Sequence, residues 1–399
     1  MAEKENQPVR LLGFKQTLQM RIGIDGLPLT ALKTGVGHYT YELARALARA
    51  EPTSQFEIVY PSTYQPIELP PQDGTDGQSH SQNLKLNRVQ VGLFGRRWWA
   101  AGLPHYLRRS KYDVFHGTNY EVPLWRRCAS VLTIHDLSHL VHPETHEKAR
   151  AKRARRRLPV MVRAADAIIT PTEAVRFEVC ERFNVEPERV FAIPEAARTT
   201  FFPVSFADTR EVRKRLGIRD DFLLAVGTLE PRKNLTVLLE AFEKFPQGAT
   251  QLVIAGGKGW LAGPLFEQIK KSPLRDRIVL TDYLHDDDLR ALYSSCRVFI
   301  YPSIYEGFGL PPLEAMACGA PVIASRIAAL EENFAGASVL FDPGSADELA
   351  ERLGEVLSDE NFRSQLAAAG RRRAADFSWE KAARLTWDVY EKAVQWFSK

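Results

Sequence analysis

Cysteine is scarce in this chain. Cys128, Cys180, Cys296 and Cys318 are the only four in 399 residues. No pair has zinc-ligand or redox spacing, which excludes a disulfide framework, a zinc ribbon and a dithiol site as organising features. Each reads as a small core residue, and a reducing compartment fits best. No apolar run is long enough to span a bilayer. The stretch Met1 to Leu18 is polar and charged, so no signal peptide is expected there. An excess of one charge is also missing: 53 Lys and Arg stand against 49 Asp and Glu, a net charge of +4. That balance does not call for nucleic acid, and it suits a diphosphate ligand or an anionic membrane surface. The expectation is a cytoplasmic protein without a nucleic-acid partner.

What is present is enough apolar material, 45% of residues, for large cores, with 26% charged. The length argues for two domains of ordinary size. The second half alternates short apolar runs with helical patterns. Strands are expected at Phe222–Val226, Gln251–Ala255, Arg277–Leu280, Val298–Tyr301, Pro321–Ala324 and Ser338–Phe341. Helices are expected at Leu235–Phe245, Pro264–Lys271, Asp286–Cys296, Pro312–Cys318 and Ala346–Ser358. Such a series builds a parallel, doubly wound α/β sheet. The first half has the same grammar. Its strands are expected at Arg21–Asp25, Phe56–Tyr60, Val114–His116, Val131–His135, Ala167–Thr170 and Val190–Ile193, and its helices at Gly37–Ala50 and Glu173–Phe183. The Pro-, Gln-, Gly- and Ser-rich stretch Pro61–Asn87 reads as loop. Pro194–Pro203 reads as a linker. It divides residues 20–197 from 203–378, and a final helical pattern covers about 379–399.

The richest motif runs from Glu306 to Pro321. It places Glu306 and Glu314 eight positions apart around a glycine-rich bend. Pro311 and Pro312 argue against one continuous helix through both. Pro312 suits a first helical position, which puts Glu306 on a loop and Glu314 in the first turn. Gly307 and Gly309 let backbone N–H groups approach a ligand, and the N-terminus of a helix suits phosphate. Carboxylates on either side can accept hydrogen bonds from sugar hydroxyls. The arrangement reads as a cradle for a sugar nucleotide.

This segment resembles the E-x7-E signature of retaining glycosyltransferases of the GT-B fold, and most closely glycosyltransferase family 4 (group 1). The resemblance covers the chain from about Met20 and is stronger in its second half. It implies two Rossmann-like domains facing across a cleft, with the last helix packing back onto the first. It also implies that Glu306 holds the transferred sugar, that Glu314 holds the ribose, and that Phe308 and Leu310 lie with Gly307 and Gly309 on the donor side. Gly227-Thr228-Leu229-Glu230-Pro231-Arg232-Lys233-Asn234 follows a strand and precedes a helix. Arg232 and Lys233 would stabilise charge growing on a departing diphosphate. Lys233 matches the family lysine. The usual arginine position holds Thr228, so either Arg232 compensates or Thr228 contacts phosphate through its hydroxyl.

Gly35-Val36-Gly37-His38-Tyr39 resembles the family's N-terminal glycine loop, which approaches the donor. His135, at a strand end, matches a histidine on the acceptor side that orients a hydroxyl. Asp136 orients that histidine or contacts the acceptor. Gly256-Gly257-Lys258-Gly259 resembles a donor-side loop, in which Lys258 reaches phosphate or faces water. Tyr283 and Leu284 resemble the segment packed on the nucleotide base. Asp286-Asp287-Asp288 reads as the acidic start of a helix rather than a metal site, and the resemblance implies no metal and no cofactor. His142 and His146 are unconvincing as metal ligands.

The expected partners are a nucleotide sugar and a saccharide or lipid-linked acceptor. GDP-mannose is the first choice of donor and a UDP-hexose such as UDP-glucose the second. A sugar-nucleotide epimerase and a catalytically idle binding subunit are the other readings. Two basic stretches, Gly95–Trp99 leading to Arg109 and Lys148–Arg157 before Leu158–Val162, suit either a solvated basic face or peripheral contact with the inner membrane surface.

Overall fold

The computed structural model describes residues 19–30, 35–67, 82–92, 97–125, 127–219, 221–245 and 249–399. The stretch read for a signal peptide, the middle of the 61–87 loop, and Gly95 and Arg96 lie outside them.

The apolar runs of both halves form wholly parallel sheets. The first contains β1 (Arg21–Asp25), β2 (Gln55–Pro61), β3 (Leu84–Val89), β4 (Val114–Gly117), β5 (Ala129–Thr133), β6 (Ala167–Thr170) and β7 (Val190–Ala192), in the order β3-β2-β1-β4-β5-β6-β7. The second contains β8 (Phe222–Val226), β9 (Gln251–Ala255), β10 (Ile278–Thr281), β11 (Val298–Tyr301), β12 (Val322–Ser325) and β13 (Val339–Phe341), in the order β10-β9-β8-β11-β12-β13. Central strands such as β5, β9 and β11 are buried along their whole length. Burial on both faces explains why they read as unbroken apolar runs rather than alternating ones. In each sheet the order reverses once, between β1 and β4 and between β8 and β11. Ligands of open α/β sheets lie at the carboxyl ends of strands flanking such a reversal.

One strand was not foreseen. Leu84–Val89 pairs in parallel with β2 at the sheet edge, where a loop was expected. Lys85, Asn87 and Arg88 interrupt it with polar side chains, as suits an edge strand, so it carries no apolar run to read. The expected elements differ from the observed ones by a few residues at most, but the helices Leu103–Ser110, Phe206–Arg215, Ala328–Phe334 and Glu360–Ala375 were not foreseen. The helix Leu310–Ala317 begins two positions before Pro312. That places Glu314 beyond the first turn, a correction to the expected position.

The helix Trp379–Phe397 belongs to the core of the first sheet. Trp379, Ala383, Trp387 and Tyr390 pack with Ile22, Phe56, Val114 and Ala167. Its polar anchor is buried. The Tyr390 hydroxyl lies 2.8 Å from His116 Nδ1, and His116 Nε2 lies 2.7 Å from Thr133 Oγ1. Burial, with His135 nearby, depresses the His116 imidazole to about 3, so it is neutral in the folded protein. Cys128, Cys296 and Cys318 are buried, and none of the four cysteines is in a disulfide. Among the described residues, no helix is long and apolar enough to cross a membrane.

Tyr390→Phe should leave the Nδ1 side of a buried imidazole without its partner. A loss of about 1–3 kcal/mol is expected, read from the urea midpoint of unfolding. An unchanged midpoint would remove the anchor role.

Candidate active site

The loops after β8 and β11 converge at the reversal point of the second sheet. Gly227 and Gly256 let the loops after β8 and β9 touch: a Cβ on Gly256 would stand 2.1 Å from the Gly227 carbonyl oxygen. Asn234 adopts φ +54 and donates to the carbonyls of Pro302 (3.0 Å) and Pro343 (2.8 Å), which ties the turn carrying Arg232 and Lys233 to the loop after β11.

Glu306 sits between those two cations. Its Oε2 is 2.7 Å from Arg232 and its Oε1 is 2.6 Å from Lys233 Nζ. The Tyr301 hydroxyl donates to Oε1 at 2.9 Å. Arg232 also reaches Glu230 at 2.7 Å and the Tyr305 carbonyl at 2.9 Å. Burial alone would raise the Glu306 carboxyl, but Arg232 and Lys233 overcome it and hold the group at about 2. Burial draws the Lys233 ammonium below its ordinary value, against the pull of Glu306. A small hollow lined by Gly227, Lys233, Tyr301 and Ser303 adjoins this cluster.

The Glu306–Gly309 turn is pressed against the first domain. A Cβ on Gly307 would stand 1.7 Å from the His135 carbonyl oxygen. Thr172 donates to the Gly307 carbonyl at 3.0 Å, and the Leu137 amide donates to the Tyr305 hydroxyl at 3.1 Å. Gly35 faces Leu310, with 3.9 Å from its would-be Cβ to the leucine Cδ1. Gly37 packs on the Pro28 carbonyl within the first domain. The structure therefore brings Gly35, His135, Asp136, Arg232, Lys233, Glu306, Gly307 and Leu310 to one seam.

His135 does not offer a free nitrogen there. Its Nδ1 is 3.1 Å from Glu195 and its Nε2 is 2.8 Å from the Thr118 carbonyl. Burial disfavours its charge, but the Glu195 and Thr118 contacts prevail and raise it above the ordinary histidine value. Contrary to expectation, the imidazole is committed to its own domain, and a sugar hydroxyl would have to displace one of these partners. Asp136 accepts from the Ser138 amide at 2.8 Å. Burial would raise its carboxyl, but Arg232 and the Ser138 contact hold it below the ordinary value.

Glu314 lies in a second cluster. Arg198 Nε donates to its Oε1 at 2.9 Å, and another Arg198 nitrogen reaches Asp286 at 2.6 Å. Arg198 and Glu195 were missed by sequence reasoning. Local pattern offers only a weak signal: they are the two charged residues of the Pro194–Pro203 linker, and both are buried.

The remaining donor-side residues are more dispersed. Thr228 and Lys258 are exposed. The Lys258 ammonium stands 5.4 Å from the Phe266 ring. A Cβ on Gly257 would meet open space. Tyr283 is exposed, whereas Leu284 packs against the second core. The Phe308 side chain is a core residue, edge-on to Phe377, so only its backbone is placed to face a ligand. Gly309 has φ +98, and a Cβ there would collide with Leu330, a position only glycine fits. Asp286, Asp287 and Asp288 each face an arginine: Arg198, Arg290 and Arg215. Among the described residues, no group of three or more His, Cys, Asp or Glu could hold a metal ion.

Comparison with known proteins agrees with this geometry. The family described as Glycosyl transferases group 1 matches residues 208–373, and Glycosyltransferase Family 4 matches residues 33–201. The O-antigen chain mannosyltransferase B of Escherichia coli is 30% identical over 380 residues, covering 91% of this chain and 97% of that protein. The chain belongs to the group 1 glycosyltransferases. Sucrose-phosphate synthase of Thermosynechococcus elongatus superposes with a TM-score of 0.73 at 23% identity, covering 94% of this chain and 99% of the other. Anabaena HepE in complex with UDP-glucose gives 0.71 at 18% identity, covering 94% and 99%. Those two likenesses establish the GT-B fold of this glycosyltransferase. The family and the mannosyltransferase relative make it a hexosyltransferase of glycan assembly.

In this glycosyltransferase, Glu306→Gln should lower kcat/KM by about 100-fold or more. It should also destabilise the fold by about 3–5 kcal/mol, because two buried cations lose their counter-ion. Transfer kinetics and thermal melting read the two effects separately. Full activity in the variant would remove Glu306 from the chemistry.

Proposed function

We propose that this hexosyltransferase moves mannose from GDP-mannose to a hydroxyl of a saccharide or lipid-linked saccharide acceptor, with retention of anomeric configuration. The observation that carries the reading is the ionised Glu306 held between Arg232 and Lys233 at the sheet reversal, against the His135–Asp136 turn. In this reading Arg232 and Lys233 face the departing diphosphate and offset the charge that grows on it. The amides of Gly309 and Leu310 add to them. Pro311 and Pro312 carry no N–H, so these two are the amides left to turn outward at the start of that helix. Glu306, once the cations are shared with phosphate, accepts hydrogen bonds from hydroxyls of the transferred sugar.

A double displacement needs a carboxylate free to attack carbon. In this reading Glu306 spends its oxygens on the cations before the donor binds and on hydroxyls of the transferred sugar afterwards, not on the anomeric carbon. Same-face attack assisted by the leaving diphosphate is therefore the mechanism that fits. Mannose is favoured over glucose by the relative named as a mannosyltransferase.

The anionic surface of a membrane is the second partner in this reading. The helix Lys148–Ala164 has eight basic residues and no acidic one. Its apolar continuation is not free: Leu158, Met161 and Val162 are core. Trp98, from the other basic stretch, is buried too. The apolar tip comes from elsewhere. Trp125 is 71% exposed beside Leu124 at 47%, and Arg157 paired with Glu121 at 2.6 Å ties that loop to the basic helix. Exposed tryptophan beside a basic face suits an anionic bilayer surface.

A thermal-shift and turnover screen with GDP-mannose and UDP-glucose tests the donor. GDP-mannose should raise the melting temperature by mass action and, with acceptor, give an α-linked product by NMR. Response to UDP-glucose alone would overturn the donor, a β-linked product would overturn retention, and acceptor-free release of sugar-nucleotide isomers would favour an epimerase. Sedimentation with vesicles containing anionic lipid tests the surface. Trp125→Ser combined with Arg155→Glu and Arg156→Glu should abolish pelleting, and equal pelleting would exclude this face.

A further inference from the structure

Arg198 belongs to neither sheet. It lies in the segment joining β7 to the second domain, yet its guanidinium is buried among groups from both. Nε and Nη2 both point at one oxygen of Glu314, Oε1, at 2.9 Å each. Nη1 reaches Asp286 Oδ1 at 2.6 Å and His38 Nε2 at 3.3 Å. The guanidinium lies over the Phe201 ring, 4.5 Å from its centroid. Three polar partners along the edge and a ring against the face fix its plane. A lysine ammonium, a point donor, could not hold Glu314, Asp286 and His38 at once or stack in this way.

The consequence for Glu314 is an asymmetry. Both contacts fall on Oε1, and among the described residues Oε2 has no hydrogen-bond partner shown. The carboxylate is thus locked in rotation with one oxygen committed and one open. An open carboxylate oxygen on a fixed plane is the acceptor geometry that vicinal hydroxyls need. We propose that Arg198 is the positioning residue for recognition of the donor's ribose. It orients Glu314 so that Oε2 meets the 2′- and 3′-hydroxyls, and it carries this orientation on the interdomain connection, in contact with His38 of the first domain. The proposal rests on the reading that Glu314 grips the ribose. It adds that the grip exists only while the linker arginine is seated, so ribose recognition is tied through one side chain to the connection between the domains.

The test is calorimetric binding of GDP and UDP, each beside its 2′-deoxy and 3′-deoxy forms, to wild type, Arg198→Gln and Arg198→Lys. Wild type should bind the ribonucleotide about 10- to 100-fold more tightly than the deoxy forms, the range of a hydrogen bond to a charged group. Arg198→Gln should weaken the ribonucleotide by a similar factor and leave the deoxy forms nearly unchanged, so that the preference collapses towards one. Arg198→Lys should fall between them, and in turnover it should raise the donor KM more than it lowers kcat. In a double-mutant cycle, Arg198→Gln should add little to Glu314→Gln.

If both Arg198 variants keep the wild-type preference, or the two losses simply add, the positioning role is wrong while the Glu314 reading stands. If wild type shows no preference, the ribose reading of Glu314 fails and this inference with it. Should Arg198→Gln not melt cooperatively, the preference of Arg198→Lys decides.

Discussion

The site depends on a contact that leaves no space for a side chain. The Glu306 turn meets the first domain where Gly307 lies against the His135 carbonyl, and a Cβ there would sit 1.7 Å from that oxygen. Backbone on backbone sets the spacing of the two domains at this seam more rigidly than side chains could. Thr172, bonded to the Gly307 carbonyl, and Tyr305, accepting from the Leu137 amide, fix the same seam from either side. Glu332 adds a clamp further out, where its carboxylate accepts from the amides of Glu173 and Ala174 at 2.9 Å each. Those amides are otherwise unpaired at a helix N-terminus, so the second domain caps a helix of the first.

Within that spacing the charges nearly cancel. Arg232 and Lys233 face Glu306 and Glu230, two cations against two carboxylates, with Asp136 on the opposite wall. A cation pair buried without partners would be prohibitively unfavourable. The carboxylates let the cations exist in the folded protein before any phosphate arrives. A diphosphate therefore enters by exchange, replacing carboxylate contacts with phosphate ones. The resemblance left open whether Arg232 compensates for the threonine at position 228. Arg232 supplies the buried cation beside Glu306, while Thr228 is exposed. This favours compensation by Arg232.

Legibility in the sequence followed the physics of each element. Both sheets could be read strand by strand because parallel strands covered on both faces are continuous apolar runs. β3 could not, because an edge strand with Lys85, Asn87 and Arg88 looks like loop. The cations and Glu306 were legible because they stand next to glycines and prolines that make sense only as ligand-facing turns. The state of His135 was not: whether an imidazole faces a substrate or its own fold depends on Glu195 and Thr118, which lie 60 and 17 residues away. Arg198 was hidden for the same reason, since Glu314 lies 116 residues beyond it. Local pattern shows which groups are present, whereas pairing over such separations is a property of the fold.

The buried ionisable groups also shape how stability responds to acid. Burial, opposed by the Leu27 amide and aided by Glu121, raises the Asp25 carboxyl from 3.8 to about 7. His116 is depressed from 6.5 to about 3. Between pH 3.8 and 6.5, folded Asp25 keeps a proton that the unfolded chain releases, so its contribution falls as pH rises. Over the same range, unfolded His116 takes up a proton that the folded protein refuses, so its contribution falls as pH drops. The two slopes are opposite and each involves one proton, so they cancel. Glu306 has an acid response of its own. Its carboxyl, lowered from 4.5 to about 2, contributes stability that is present above 4.5 and lost as pH falls through 2. The ion cluster that readies the cleft for a diphosphate is thus also acid-labile, and its contribution is lost in full only as pH falls through about 2.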